Sequence, residues 1–210
     1  MDLPDLTARA HRLARTGRRR VLGIAGPPGA GKSTLAGRIT DALGPLAVLV
    51  PMDGFHLAQA ELERLGRAGR KGAPDTFDAA GYAALLRRLR APEPGTVVYA
   101  PAFDRSLEEP VAGAIPVPPE VPLVVTEGNY LLYGEGPWAP VRGLLDEAWY
   151  LDPDDAVRVP RLVDRHVRYG KTRAGAERWV ARSDEANARL VAAGRDRADL
   201  VVRDGPGPRP

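Results

Sequence analysis

Apolar positions in this chain fall into short unbroken runs separated by longer amphipathic stretches. The runs VLGIA (21–25), LAVLV (46–50), VPLVVTEG (121–128) and EAWYLD (147–152) do not alternate, the pattern of strands buried on both faces. TVVYA (96–100) is a further strand candidate and DLVVR (199–203) a short last one. Between them, residues 2–15, 33–43, 57–66, 78–90, 153–169 and 174–193 read as helices. Leu6, Ala10 and Leu13 share one face of the first, Gly44-Pro45 stops the second, and Gly170-Lys171 breaks the last two apart. Residues 101–120, rich in proline and acid, predict an extended loop or a hairpin. Strands alternating with helices predict an α/β fold with a central parallel five-stranded sheet and helices on both faces. We expect one domain over residues 1–203, followed by a disordered tail, DGPGPRP (204–210).

Composition narrows the chemistry. The 210 residues contain no cysteine, which excludes disulfides, thiolate metal sites and cysteine nucleophiles. Three separated histidines do not make a metal cage. No apolar run approaches the ~20 residues of a membrane span, and the first residues lack the apolar core of a signal peptide. A cytoplasmic protein is expected, monomeric or homodimeric, with no membrane partner. A net charge of +3 with scattered arginines, and no aromatics interleaved with the cluster Arg18-Arg19-Arg20, gives little support for a nucleic-acid partner. Only Lys32, Lys71 and Lys171 are lysine in a chain that otherwise writes its cations as arginine. Such lysines hint at places where arginine does not fit.

One motif carries strong chemical meaning. Gly26-Pro27-Pro28-Gly29-Ala30-Gly31-Lys32-Ser33 matches G-x-x-x-x-G-K-[ST] between a predicted strand and a predicted helix that continues through Thr34. Glycines let backbone N–H groups turn inward around phosphate oxygens, and the helix N-terminus adds partial positive charge. Lys32 would reach the β- and γ-phosphates and Ser33 would ligate Mg²⁺. A nucleoside triphosphate is therefore expected at this loop.

Three further constellations bear on what happens to it. Asp53, in PMDGFHL at the carboxyl end of an apolar strand, can face the γ-phosphate and accept a hydroxyl proton. His56 nearby is a weaker candidate. Glu127 ends LVVTE, where an acid beside a phosphate loop suits Mg²⁺ held partly through water. Arg158, Arg161, Arg165 and Arg168 recur at intervals of three and four, so they share a helical face, and Lys171 and Arg173 follow. Most such faces are simply solvated. Arg161, Arg165 and Arg168 together are candidates to close over phosphates and neutralise transition-state charge.

These residues resemble the uridine kinase, phosphoribulokinase and type I pantothenate kinase superfamily, above all its bacterial fructose-transport-system kinase (nucleoside/nucleotide kinase-like) branch. The shared stretches are GIAGPPGAGKSTLA (23–36), VPMDGFHL (50–57), RKGAPDTFD (70–78), PAFDRSLEEPV (101–111), EGNYLL (127–132), RSDEANARLV (182–191) and RADLVV (197–202). The resemblance implies a P-loop NTPase three-layer fold with an arginine-bearing lid at about 161–175. It implies Asp53 as catalytic acid and Glu127 as a metal- or substrate-side carboxylate. Lys71, Asp75 and Phe77 would lie in the acceptor-side loop, with Arg105, Tyr130 and Asn187 also on the substrate side, and 197–202 would run past the adenine. Phe103 stands where uridine kinases usually carry tyrosine or histidine, and the long additional segments of pantothenate kinases are absent.

The expected reaction is ATP- and Mg²⁺-dependent phosphorylation of an alcohol on a small metabolite. Asp53, Asp75, Asp104, Arg105 and Asn187 suit a polyhydroxylated acceptor. An unphosphorylated sugar such as fructose, or a nucleoside, ranks ahead of a pantothenate-like acid. The competing expectation is a nucleotide-dependent regulatory NTPase acting on a protein partner. The guanine-reading N-K-x-D motif is absent, which argues against a GTPase switch.

Overall fold

A computed structural model describes residues 2–203, so the tail expected at 204–210 lies outside the described residues. In chain order the elements are α1 (Leu3–Ala14), β1 (Arg20–Ala25), α2 (Lys32–Leu43), β2 (Ala47–Leu49), α3 (Gln59–Arg64) and α4 (Ala79–Arg90). They continue as β3 (Val98–Asp104), β4 (Glu109–Val117), β5 (Leu123–Gly128), β6 (Glu147–Leu151), α5 (Asp155–Arg168), α6 (Arg173–Trp179), α7 (Glu185–Ala192) and β7 (Leu200–Val202). Five strands form a parallel sheet in the order β2-β5-β1-β6-β7. Every residue of β5 is buried, and so is all of β1 after its first. The continuous apolar runs are explained by that burial. No helix among the described residues is long and apolar enough to cross a membrane.

Two apolar layers cover the sheet. On one face α1 and α2 bury Leu6, Ala10, Ala36 and Ile39 against Leu22, Ile24 and Val125. On the other, α4 brings Tyr82, Leu86 and Leu89 against Val21 and Val124, with Tyr130 and Trp138 filling the space beside them. Side chains start four of the helices: Asp2 accepts from Asp5 N–H, Asp78 from Gly81 N–H, Asp154 from Ala156 N–H and Thr172 from Gly175 N–H, the preferred chemistry at a helix N-cap.

The strand expected at 96–100 does not join the sheet. It becomes β3, which pairs antiparallel with β4 in a separate hairpin, so the hairpin alternative for 101–120 holds. Proline explains the exclusion. Pro101 in β3 and Pro110 and Pro116 in β4 have no N–H to give to a second neighbour, and the pairing shifts register between Ala100 and Ala102, around Pro101. The helix expected at 174–193 is interrupted by a π-helical turn at Val180–Asp184.

Candidate active site

All the sheet strands are parallel, so their carboxyl ends share one edge, where ligands of such sheets gather. A cavity of about 1900 Å³ opens there. That exceeds the ~300–1,000 Å³ of an ordinary ligand pocket and leaves room for two ligands side by side.

The phosphate loop forms one end. β1 runs into it, and Gly29 and Gly31 take φ of +80° and +86°, conformations that L side chains rarely adopt. A Cβ on Gly29 would also press within 3.3 Å of Arg158 and Leu162. Lys32 Nζ donates to the carbonyls of Gly26 and Pro27 and to Asn129 Oδ1 at 2.8–3.0 Å. Burial pulls the Lys32 ammonium down to about 8, opposed by the charges of Glu127 and Asp53. Asn129 was not singled out in the sequence; its signal was its place two residues after Glu127 in EGNYLL.

β5 lies beside β1 with Glu127 opposite Ile24, so the acid arrives next to the first turn of α2. There Ser33 Oγ donates to Glu127 Oε1 at 2.8 Å. Burial pushes the Glu127 carboxyl up, and the neighbouring Asp53 charge adds to it, while Lys32 and the Ser33 hydrogen bond oppose. Two carboxylates and a hydroxyl therefore converge beside the loop.

Asp53 is set in place from behind. Thr126 Oγ1 donates to the Val50 carbonyl at 2.6 Å, and the Tyr82 hydroxyl donates in turn to Thr126. Val50 N–H donates to Val125 O at 2.8 Å. These bonds fix the end of β2, and the 3₁₀ turn Met52–Phe55 then presents Asp53 to the cavity. Gly54 is needed in that turn, because a Cβ there would collide with the Pro101 carbonyl of the hairpin.

The arginine run divides. Arg158 is only 1% exposed and bridges Asp155 and Glu185, and its Nη1 donates to the Pro28 carbonyl. It fastens α5 to the phosphate loop rather than facing solvent. Arg173 pairs with Asp164 at the surface. Arg161, Arg165 and Arg168 line the cavity. Among the described residues neither Arg165 nor Arg168 has a carboxylate within ion-pair distance. Arg165 lies close enough to Lys32 to help lower its ammonium. Trp179, Asp184 and Asn187 also reach the wall, the five-residue step from Trp179 to Asp184 matching the π turn between them. Asp184 is bound to His166 of α5 at 2.7 Å, and Lys171 Nζ sits 4.6 Å over Trp179.

The opposite end gathers His56, Lys71, Phe77 and Arg105. The 74–78 segment pairs with 55–57 through Leu57 N–H to Thr76 O and Asp78 N–H to Phe55 O, which stacks His56 on Phe77 at 4.0 Å. Tyr130 is fully buried; its hydroxyl donates to Gly72 O and it supports the wall from behind. Asn187 donates to the same carbonyl at 3.3 Å. Two candidate acceptor contacts go elsewhere: Asp75 is held by Arg67 and Arg70, and Asp104 caps its own turn at Ser106 and Leu107.

A buried lysine in a glycine cradle, acids at adjacent strand ends and arginines across the opening define a P-loop phosphotransferase site. The model of the Phosphoribulokinase / Uridine kinase family matches residues 21–208. The chain is 32% identical over 220 residues to the "Putative uridine kinase C227.14" of Schizosaccharomyces pombe, covering 97% of this chain and 93% of that protein. It superposes with a TM-score of 0.86 and 37% identity on the "putative fructose transport system kinase" of Silicibacter sp. TM1040, over 96% of this chain and 99% of that one. The phosphoribulokinase of Rhodobacter spheroides shares the fold, with a TM-score of 0.63 at 13% identity over 89% of this chain and 70% of that one. The chain thus belongs to the phosphoribulokinase/uridine kinase family and is an ATP-dependent kinase.

Proposed function

We propose that the protein transfers the γ-phosphoryl group of ATP to a hydroxyl of a small polyhydroxylated metabolite, with Asp53 as the base. The observation that carries this reading is the placement of Asp53. It stands at the carboxyl end of the sheet, in the same cavity as Lys32, with the hairpin and the 66–78 segment enclosing space on its far side. A hydroxyl seated there has the phosphate loop ahead of it and a carboxylate beside it.

In the transfer, the acceptor oxygen bonds to the γ-phosphorus as the bond to the β–γ bridging oxygen breaks. The hydroxyl proton passes to Asp53, and ADP and a phosphate monoester leave. Backbone N–H groups from Gly29 to Thr34 and the Lys32 ammonium hold the triphosphate. Arg161, Arg165 and Arg168 offset the charge spread over the transferred group. Residues 161–175 act as a lid that brings them in and keeps water out. His56, Phe77, Asn187 and the Tyr130-supported wall shape the acceptor side.

The donor set beside the loop also fits Mg²⁺. Ser33 and Glu127 offer a hydroxyl and a carboxylate in contact, and the raised Glu127 carboxyl would be relieved by a cation. Among the described residues no group of three acids or histidines forms a cage of its own, as suits an ion that takes most of its ligands from phosphates and water. Bound there, Mg²⁺ would neutralise phosphate charge.

The test is ADP release over a panel of sugars, nucleosides, pantothenate and hydroxy acids, with the product identified by mass spectrometry. A kinase shows release stimulated strongly by one class of alcohol and a new phosphate ester. Slow hydrolysis indifferent to every alcohol, but stimulated by a protein, would favour a regulatory NTPase instead.

A further inference from the structure

At the end of the cavity away from Lys32, two cations come to one ring. Lys71 Nζ lies 5.2 Å from the Phe103 centroid and Arg105 Cζ lies 5.8 Å from it. They arrive from separate places, Lys71 from the segment between α3 and α4 and Arg105 from the turn after β3. Arg105 also rests 5.7 Å over Tyr169, beyond the end of α5. Like charges gathered in this way repel unless an anion joins them.

The acids nearby are otherwise engaged. Glu109 uses both carboxylate oxygens on the backbone N–H of Gln59, at 3.0 and 3.1 Å. Glu108 gives Lys71 its backbone carbonyl, at 2.8 Å. Among the described residues Lys71 has no carboxylate oxygen within 4 Å, and Arg105 has only Asp53, at 3.5 Å. Asp53 is the group that must be open to the acceptor hydroxyl. The hairpin cation therefore occupies the base, and its natural counter-ion has to come from outside the chain.

His56 completes the wall. Its Nδ1 lies 2.8 Å from the Asp53 carbonyl, a partner that can only accept, so Nδ1 carries the proton. Burial favours the neutral ring, which leaves Nε2 as an acceptor for a hydroxyl. Phe77 and Phe103 flank it at 4.0 and 4.9 Å and give an apolar bed for a carbon skeleton.

We propose that the acceptor is an anionic polyol whose carboxylate or phosphate is held between Lys71 and Arg105 while its hydroxyl lies at Asp53. The inference rests on the kinase reading above and departs from the uncharged sugar or nucleoside that the sequence ranked first. A charged acceptor draws Arg105 off Asp53 and so opens the base as it binds. A neutral polyol leaves the Asp53–Arg105 pair in place.

Matched acceptors decide this. ADP release is measured with fructose, glycerol and uridine, with gluconate and glycerate, and with fructose 6-phosphate and glycerol 3-phosphate, at fixed ATP and Mg²⁺. The same series is run on Lys71→Gln and Arg105→Gln, side chains partly open to water whose loss leaves no buried charge. An acidic or phosphorylated acceptor is expected to exceed its neutral counterpart at least ~10-fold in kcat/KM, as losing a charge-assisted hydrogen bond implies. Whichever charged series responds identifies the group. Each variant is expected to raise the KM of that acceptor at least ~10-fold and the KM of ATP less than ~2-fold. A preference for neutral acceptors, with acceptor KM unmoved in both variants, overturns the anion subsite and leaves the kinase intact. No stimulation by any member overturns the kinase reading and the proposal together.

Discussion

Arg158 shows how far a spacing argument reaches. Intervals of three and four put it on one helical face with Arg161, Arg165 and Arg168, and that face is real. Periodicity does not say that the first arginine meets the phosphate loop while the others line the cavity. Its guanidinium joins Asp155, Glu185 and the Pro28 carbonyl at 1% exposure. Arg158→Ala would leave a partly buried Glu185 carboxylate and a loop carbonyl without their partner. Leaving such partners unsatisfied typically costs ~1–3 kcal/mol, so a fall in thermal unfolding midpoint is expected, with weaker ADP binding measured by calorimetry. An unchanged midpoint would remove Arg158 from the support of the loop. Lysine usage was more informative. Lys32, Lys71 and Lys171 all line the cavity, one gripping loop carbonyls and the others standing over Phe103 and Trp179. The Asp184–His166 pair was not legible, because its meaning depends on a partner 18 residues away, and Asn129 had only its place in EGNYLL to mark it, its partner Lys32 lying 97 residues away.

At the scale of elements, continuous apolar runs announced the parallel strands and amphipathic spacing the helices that cover them. The hairpin was harder. TVVYA reads like its neighbours, and only the prolines after it mark a strand that cannot accept partners on both sides. The π turn had no local signal at all. The hairpin bears on function through its contact with the Met52–Phe55 turn. Gly54→Ala drives a methyl into the Pro101 carbonyl and must push β3 away from the turn. Acceptor KM is expected to rise several-fold while ADP affinity holds; equal losses on both sides would mean the turn itself has collapsed. On the facing helix, Arg165→Ala and Arg168→Ala should lower kcat by at least ~10-fold, and more than they weaken ADP binding, because charge spreads over the phosphoryl group in the transition state. Kinetics untouched in both variants would make Arg165 and Arg168 a solvated face of α5.

For the molecule as a whole, the phosphate loop marks where a nucleotide is expected, and the resemblance to a kinase family supplied the order of the remaining stretches. Strand order was not legible, since nothing local states that β5 separates β1 from β2. That order is what brings Glu127 beside Ser33 and sets Asp53 across from them. Removing divalent metal with EDTA should abolish turnover and restore it on adding Mg²⁺, whereas full activity in EDTA would deny Ser33 and Glu127 a metal. The role of Asp53 is open to a sharper measurement, single-turnover phosphoryl transfer in Asp53→Asn beside binding of a non-hydrolysable ATP analogue. Analogue affinity within ~3-fold of wild type and a transfer rate lower by at least ~100-fold is the expected pair, the scale of lost general-base assistance. Transfer at close to the wild-type rate would contradict Asp53 as the base.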